Sequence, residues 1–164
     1  MKLYGFSRSS AAFRVRIALN LKGMSWEHVN ISLPDGDQFD NVYKKINPQG
    51  RVPTLIDGDK TLYQSMAIIE YLDETHPDPA FLPSEPETRA RVRGLANIIA
   101  CDIHPLNNLA VLKFLEHEVG ADSHLVNVTW YQHWIHEGFN ALEAYLVKDS
   151  ETGAFAHGDT PGLV

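Results

Sequence analysis

Residues 7–23, SRSSAAFRVRIALNLKG, crowd three serine hydroxyls and three guanidinium groups into the point where a short strand (residues 2–6) gives way to a helix. Ser9 and Ser10 are good helix N-caps, but Ala12 and Phe13 stand three positions on, so no capping-box acid occupies the free backbone N–H groups. A helix mouth left in this state carries about half a positive charge and bare donors, which suits a carboxylate, a phosphate or a thiolate. Arg8 and Arg14 strengthen that preference. The same residues also describe an ordinary serine-capped turn, and the stretch by itself does not separate the two readings. A second mouth of the same kind opens at Gln64-Ser65, where Ser65 is expected to cap a helix with the apolar face Ile68, Ile69 and Leu72, again without an acid three residues on.

Other residues with chemical potential are weaker candidates. His133 and His136 lie one helical turn apart, downstream of His117 and His124, but the chain has no cysteine pair, no HExxH and no acidic partner at ligand spacing. Trp134 between the two histidines points to packing, so no metal site is expected. The single cysteine, Cys101, excludes an internal disulfide framework, fits a reducing compartment and reads as a packing residue in an apolar helix. His104 sits just before Pro105 in CDIHPLNNL, where a histidine can bond a carbonyl freed by a helix kink.

The elements that must position these groups follow from periodicity and punctuation. After the first strand, apolar residues Phe13, Ile17 and Leu21 recur every four, widened by Val15, Ala18 and Leu19, which predicts a helix with that face inward, stopped at Gly23. Residues 26–31 read as a second strand and 38–46 as a modest helix. The cluster Asn47-Pro48-Gln49-Gly50 is a turn, followed by a strand over 51–56 in which Pro53 belongs at the start or on an edge, and a hairpin through Asp57-Gly58 into residues 60–63. Strand, helix, strand, helix, hairpin, helix is the order of a thioredoxin-like domain, over residues 1–76. Residues 77–86 are a proline-rich linker; the stretch HPDPAFLPSEP holds four of the nine prolines. Residues 87–164 read as helical. Val92, Leu95, Ala96, Ile99 and Ile103 run up to Pro105, Leu106, Leu109, Leu112 and Leu115 continue towards Gly120, and a helix over 123–147 carries Tyr131, Ile135, Phe139, Leu142 and Leu146 on one face. The fold class is therefore α/β plus all-α.

With 164 residues, 44% of them hydrophobic, the chain can bury a genuine core. Its net charge of -7 argues against nucleic acid as a partner. No apolar run reaches membrane-spanning length, and neither a membrane span nor a signal peptide is expected; a cytoplasmic location is the expectation.

The motif SRSSAAFRVRIALNLKG, followed by NPQGRVPTL, LYQSMAIIEYLDE and CDIHPLNNL in that order, resembles the zeta-class glutathione transferase family, which includes maleylacetoacetate and maleylpyruvate isomerases. Many members have a cysteine where this chain has Ala11. The resemblance implies the glutathione transferase fold, a homodimer, and glutathione bound along the first domain. It implies that the γ-glutamyl carboxylate lies at Gln64 and Ser65, the cysteine backbone along Val52 beside a cis Val52–Pro53 bond, and the sulfur at Ser9 and Ser10. Arg14 and Gln38 are carried over as further contacts, as are His104, Asn108, Leu109 and Ala110 from the helical domain, with Asn107 nearby. Ser9, Ser10 and Arg8 then form the catalytic set: a thiolate adds to a cis double bond conjugated to a carbonyl, the bond rotates, and elimination returns the trans isomer. Arg8 would hold a carboxylate of a small dicarboxylic substrate, or the developing enolate. Maleylacetoacetate, from tyrosine breakdown, is the expected substrate. Maleylpyruvate is the alternative, although some of its isomerases carry arginines at the positions of Leu109 and Ala110. General conjugation of electrophiles, peroxide reduction, and a binding module that no longer uses glutathione remain open.

In the family a Thr-x-Ala-Asp segment begins near Gly162 and caps a further buried helix. The chain has Gly162 at the threonine position and ends at Val164, so it is expected to be a C-terminally truncated form with an exposed apolar groove on its helical domain.

Overall fold

The computed structural model describes residues 1–164 as two units, Met1–Phe81 and Leu82–Val164, which divide inside the proline-rich stretch. The first unit is built on a four-stranded sheet in the order β2-β1-β3-β4. Strand β1 (Lys2–Gly5) runs parallel to β2 (Glu27–Asn30) and antiparallel to β3 (Thr54–Asp57), which forms the hairpin with β4 (Lys60–Tyr63). The pairing Leu3 to Leu55 to Leu62 sets the register, with Leu3 and Leu55 fully buried. Helices α1 (Ser10–Leu21) and α3 (Ser65–Thr75) pack against each other, and Val15, Leu19, Ile68 and Leu72 complete the core. This is the thioredoxin-like arrangement expected from the element order.

Helix α1 corrects one expectation. Phe13, Ile17 and Leu21 are exposed, Phe13 to 53%, and the inward face is Ala11, Ala12, Val15, Ala18 and Leu19. Close approach decides the rotation: a Cβ on Gly5 would stand 3.2 Å from Ala12 Cβ, so the end of β1 admits only small residues on the helix facing it. The expected helix over 38–46 is also broken. A 3-10 turn (Asp37–Phe39) precedes α2 (Asn41–Ile46), because Asp40 leaves helical geometry to cap α2, its Oδ1 accepting from Val42 N at 2.6 Å.

A buried ion pair joins α1 to α3. Lys22 Nζ lies 2.7 Å from Asp73 Oδ1, with side chains 0% and 6% exposed. Lys22 also donates to Pro79 O and stands 4.1 Å from the Phe81 ring centre, while Asp73 Oδ1 accepts from Phe81 N at 2.7 Å. Each charge is thus multiply bonded, as a buried charge must be. The same segment contains a cis bond at Asp78–Pro79 that no sequence signal announced.

In the second unit, α4 (Pro86–Asn97) continues into a wide π-type turn (Ile98–Ile103), which closes with His104 N donating to Ile99 O at 3.0 Å. The helix ends before Pro105 and restarts at Leu109. Helix α5 (Leu109–His117) follows, and a second π-type turn (Leu125–Trp130) opens α6 (Tyr131–Lys148). A Cβ on Gly138 of α6 would overlap Ile103 Cγ1, so a larger residue there would have to displace the Ile103 side chain. Val92, Leu95, Ala96, Ile103, Leu112, Val126 and Leu142 are buried. The expected α6 face is corrected: only Leu142 of its five members is buried, Tyr131 and Phe139 are exposed, and Ile135 and Leu146 are intermediate. Arg91 of α4 holds the turn after α6, bonding Asp149, Thr152 Oγ1 and the Ala156 carbonyl.

Candidate functional site

The turn between β1 and α1 is pinned from the helix side. Arg16 donates to the Phe6 carbonyl at 3.3 Å and the Ser7 carbonyl at 2.9 Å, and Ser9 N donates to Phe6 O at 3.0 Å. Ser9 is the N-cap, its Oγ accepting from Ala12 N at 3.2 Å, and Ser10 is the first helical residue, exposed at the mouth. No acidic residue occupies the first turn of α1. Arg8 is exposed beside it, its guanidinium engaged in no ion pair or hydrogen bond within the chain. A thiolate or carboxylate at this point would meet helix N–H donors and a hydroxyl, with an exposed cation adjacent.

Arg14 belongs to the other mouth. Its Nε and Nη2 donate to Ser65 Oγ at 3.2 and 3.0 Å, so the contact expected at the start of α1 is made at the start of α3. Because Ser65 Oγ accepts from Arg14, its O–H is left to donate to another acceptor, as a carboxylate would require. Ser65 is also not the cap. Gln64 is, with φ 68° and ψ 116°, the one non-glycine residue at positive φ. Such a conformation costs about 1–3 kcal/mol and persists where surrounding structure enforces it, commonly at ligand-binding positions.

Between the mouths, the Val52–Pro53 bond is cis, as expected, and the loop carrying it hangs on a buried polar network. Asn47 Nδ2 donates to Arg51 O at 2.9 Å and Thr54 Oγ1 at 3.0 Å. Tyr43 Oη donates to Arg51 O at 2.6 Å and shares a hydrogen bond with Thr54 Oγ1 at 2.9 Å. Burial pushes the Tyr43 phenol above its ordinary range, so it stays a donor. Gln38 points inward, 7% exposed; its Nε2 reaches Leu33 O at 3.5 Å and its Oε1 has no partner.

The remaining candidates lie in the second unit. His104 closes the π-type turn, half-buried. Asn108 caps α5, its Oδ1 accepting from Ala110 N at 3.0 Å, and Leu109 and Ala110 are exposed in the first turn of that helix. Asn107 donates to Tyr131 O at 3.2 Å while its own Oδ1 is buried without a partner. Sequence reading missed Arg16, Tyr43, Asn47 and Gln49. The NPQG cluster announced a turn but not that its side chains brace the neighbouring strand.

Residues 3–80 match the family described as glutathione S-transferase, N-terminal domain. The chain is 47% identical to maleylpyruvate isomerase of a Ralstonia species, over 99% of its own length and 76% of that protein's. The solved holo structure of a maleylpyruvate isomerase, described as a bacterial zeta-class glutathione S-transferase, superposes with a TM-score of 0.96 at 47% identity, covering 99% of this chain and 76% of that one. Maleylacetoacetate isomerase of Methylobacterium extorquens AM1, solved with malonate and glutathione, superposes with a TM-score of 0.94 at 44% identity and the same two coverages. The chain belongs to the zeta class of the glutathione transferase family.

Proposed function

We propose that this protein is a glutathione-dependent cis–trans isomerase converting maleylacetoacetate to fumarylacetoacetate in the breakdown of tyrosine. The observation that carries the reading is the likeness, over nearly the whole chain, to the isomerase solved with glutathione and a dicarboxylate. The residues present fit the tripeptide. A strained Gln64 and an outward Ser65 O–H suit its γ-glutamyl carboxylate, a braced Val52 offers backbone pairing, and the buried Gln38 carries an unpaired acceptor.

When bound, glutathione supplies a thiolate that adds reversibly to the double bond, allowing rotation before it leaves. Ser9 and Ser10, with the first N–H groups of α1, stabilise the negative sulfur. A free thiol has a pKa of about 8.5, so lowering it by two units takes about 2.7 kcal/mol of preference for the anion. Arg8 holds a substrate carboxylate and the oxygen on which charge develops. His104, Asn108, Leu109 and Ala110 of the second unit are proposed as further contacts. The expected homodimer and cytoplasmic location belong to the same reading. Cys101, expected as a packing residue, is exposed instead; a lone free thiol suits a reducing compartment, and no helix is long and apolar enough to cross a membrane.

Maleylpyruvate is the second reading, favoured by the Ralstonia relative. Comparing kcat/KM on maleylacetoacetate, maleylpyruvate and an aryl halide tests the assignment. The highest value is expected for maleylacetoacetate. A higher value for maleylpyruvate selects the second reading, and a preference for the halide makes the protein a general transferase. Failure to bind glutathione at millimolar concentration would make it a binding module.

A further inference from the structure

Gln64 Nε2 donates to Gln49 Oε1 at 3.1 Å, across 15 positions of sequence. Gln49 is held in turn: its backbone N donates to Asn47 Oδ1 at 3.1 Å, and Asn47, 3% exposed, uses its Nδ2 on Arg51 O and Thr54 Oγ1. One buried asparagine therefore sets both the peptide that precedes Val52 and, through Gln49, the side chain of the strained residue opening α3. We propose that Gln49 is a specificity-determining positioning residue. It fixes the Gln64 amide to read the γ-glutamyl end of a thiol tripeptide, at a set spacing from the Val52 loop that pairs with its middle. The inference rests on the glutathione reading above.

The chemistry is directional. An amide that gives one N–H to Gln49 keeps one N–H for a carboxylate oxygen and its own carbonyl for an ammonium group, the two functions an α-amino acid end presents together. Without the Gln49 acceptor, the exposed Gln64 side chain is free to rotate, and binding must order it each time.

The test compares affinity for glutathione with affinity for cysteinylglycine, the same thiol peptide without its γ-glutamyl group, by calorimetry on the full chain. Gln49→Met keeps size and removes the acceptor; Gln49→Glu keeps an acceptor. Gln49→Met is expected to weaken glutathione about three- to tenfold, the range of one lost hydrogen bond, and to leave cysteinylglycine unmoved. Gln49→Glu is expected to recover most of the loss. Equal weakening of both peptides would mean that the turn has merely been loosened, and would overturn the proposal. A wild-type preference for glutathione that Gln49→Met leaves intact would overturn this inference alone. A wild-type protein that does not distinguish the two peptides would overturn the functional reading with it.

Discussion

Ser9 has two tasks, which separate on substitution. Its hydroxyl caps α1 and, in the proposed mechanism, faces the sulfur, so Ser9→Ala is expected to cost about 1 kcal/mol of stability and to lower turnover far more than glutathione affinity. Denaturant unfolding and binding titration beside steady-state kinetics check this; lost binding with intact turnover would remove Ser9 from the thiolate. Arg8→Ala, at an exposed and unpaired guanidinium, is expected to leave stability within about 0.5 kcal/mol while raising substrate KM or lowering kcat. A large displacement of the pH–rate profile would instead put Arg8 beside the sulfur. The turn around Ser9 was legible because caps and their missing acid are local features. The role of Arg14 was not, because its partner Ser65 lies 51 positions away and only the packing of α1 on α3 brings them together. Gln38 was named as a contact, but nothing in DGDQFD disclosed that it is buried.

At the scale of elements, the order of strands and helices was readable and their rotation was not. An i, i+4 repeat marked Phe13, Ile17 and Leu21, widened by Val15, Ala18 and Leu19, as the apolar face of α1; the widening residues are buried together with Ala11 and Ala12, and the larger three turn outward. The Lys22–Asp73 pair left no sequence signal, since its partners sit on different helices. Asp73→Asn leaves the Lys22 ammonium buried without its counter-charge and is expected to destabilise the first unit by about 3–5 kcal/mol. The exposed Lys2–Glu27 pair, by contrast, is expected to contribute about 0–1 kcal/mol. Urea unfolding of the two charge-removed variants distinguishes them. In the second unit, the Glu151 N–H and then Arg91 hold the Asp149 carboxyl below its ordinary value of 3.8. A depressed carboxylate stabilises the fold above that value and loses the contribution as pH falls through the folded one. Arg91→Met is therefore expected to move the acid unfolding midpoint to higher pH, read by circular dichroism; an unchanged midpoint would mean that the turn at residues 149–156 is held by other contacts.

At the scale of the whole molecule, the first unit offers two helix mouths with a braced loop between them, a grouping suited to a peptide with an acidic end and a thiol. The second unit, described by itself, keeps Phe114, Val119, Tyr145 and Val147 exposed. The central claim is that glutathione is used and returned. Following the cis substrate by proton NMR, with enzyme and far less glutathione than substrate, tests it most directly. The account predicts complete conversion of maleylacetoacetate to the trans isomer with the glutathione recovered unchanged; conversion that stops when the glutathione is consumed, or that proceeds equally without it, would contradict it.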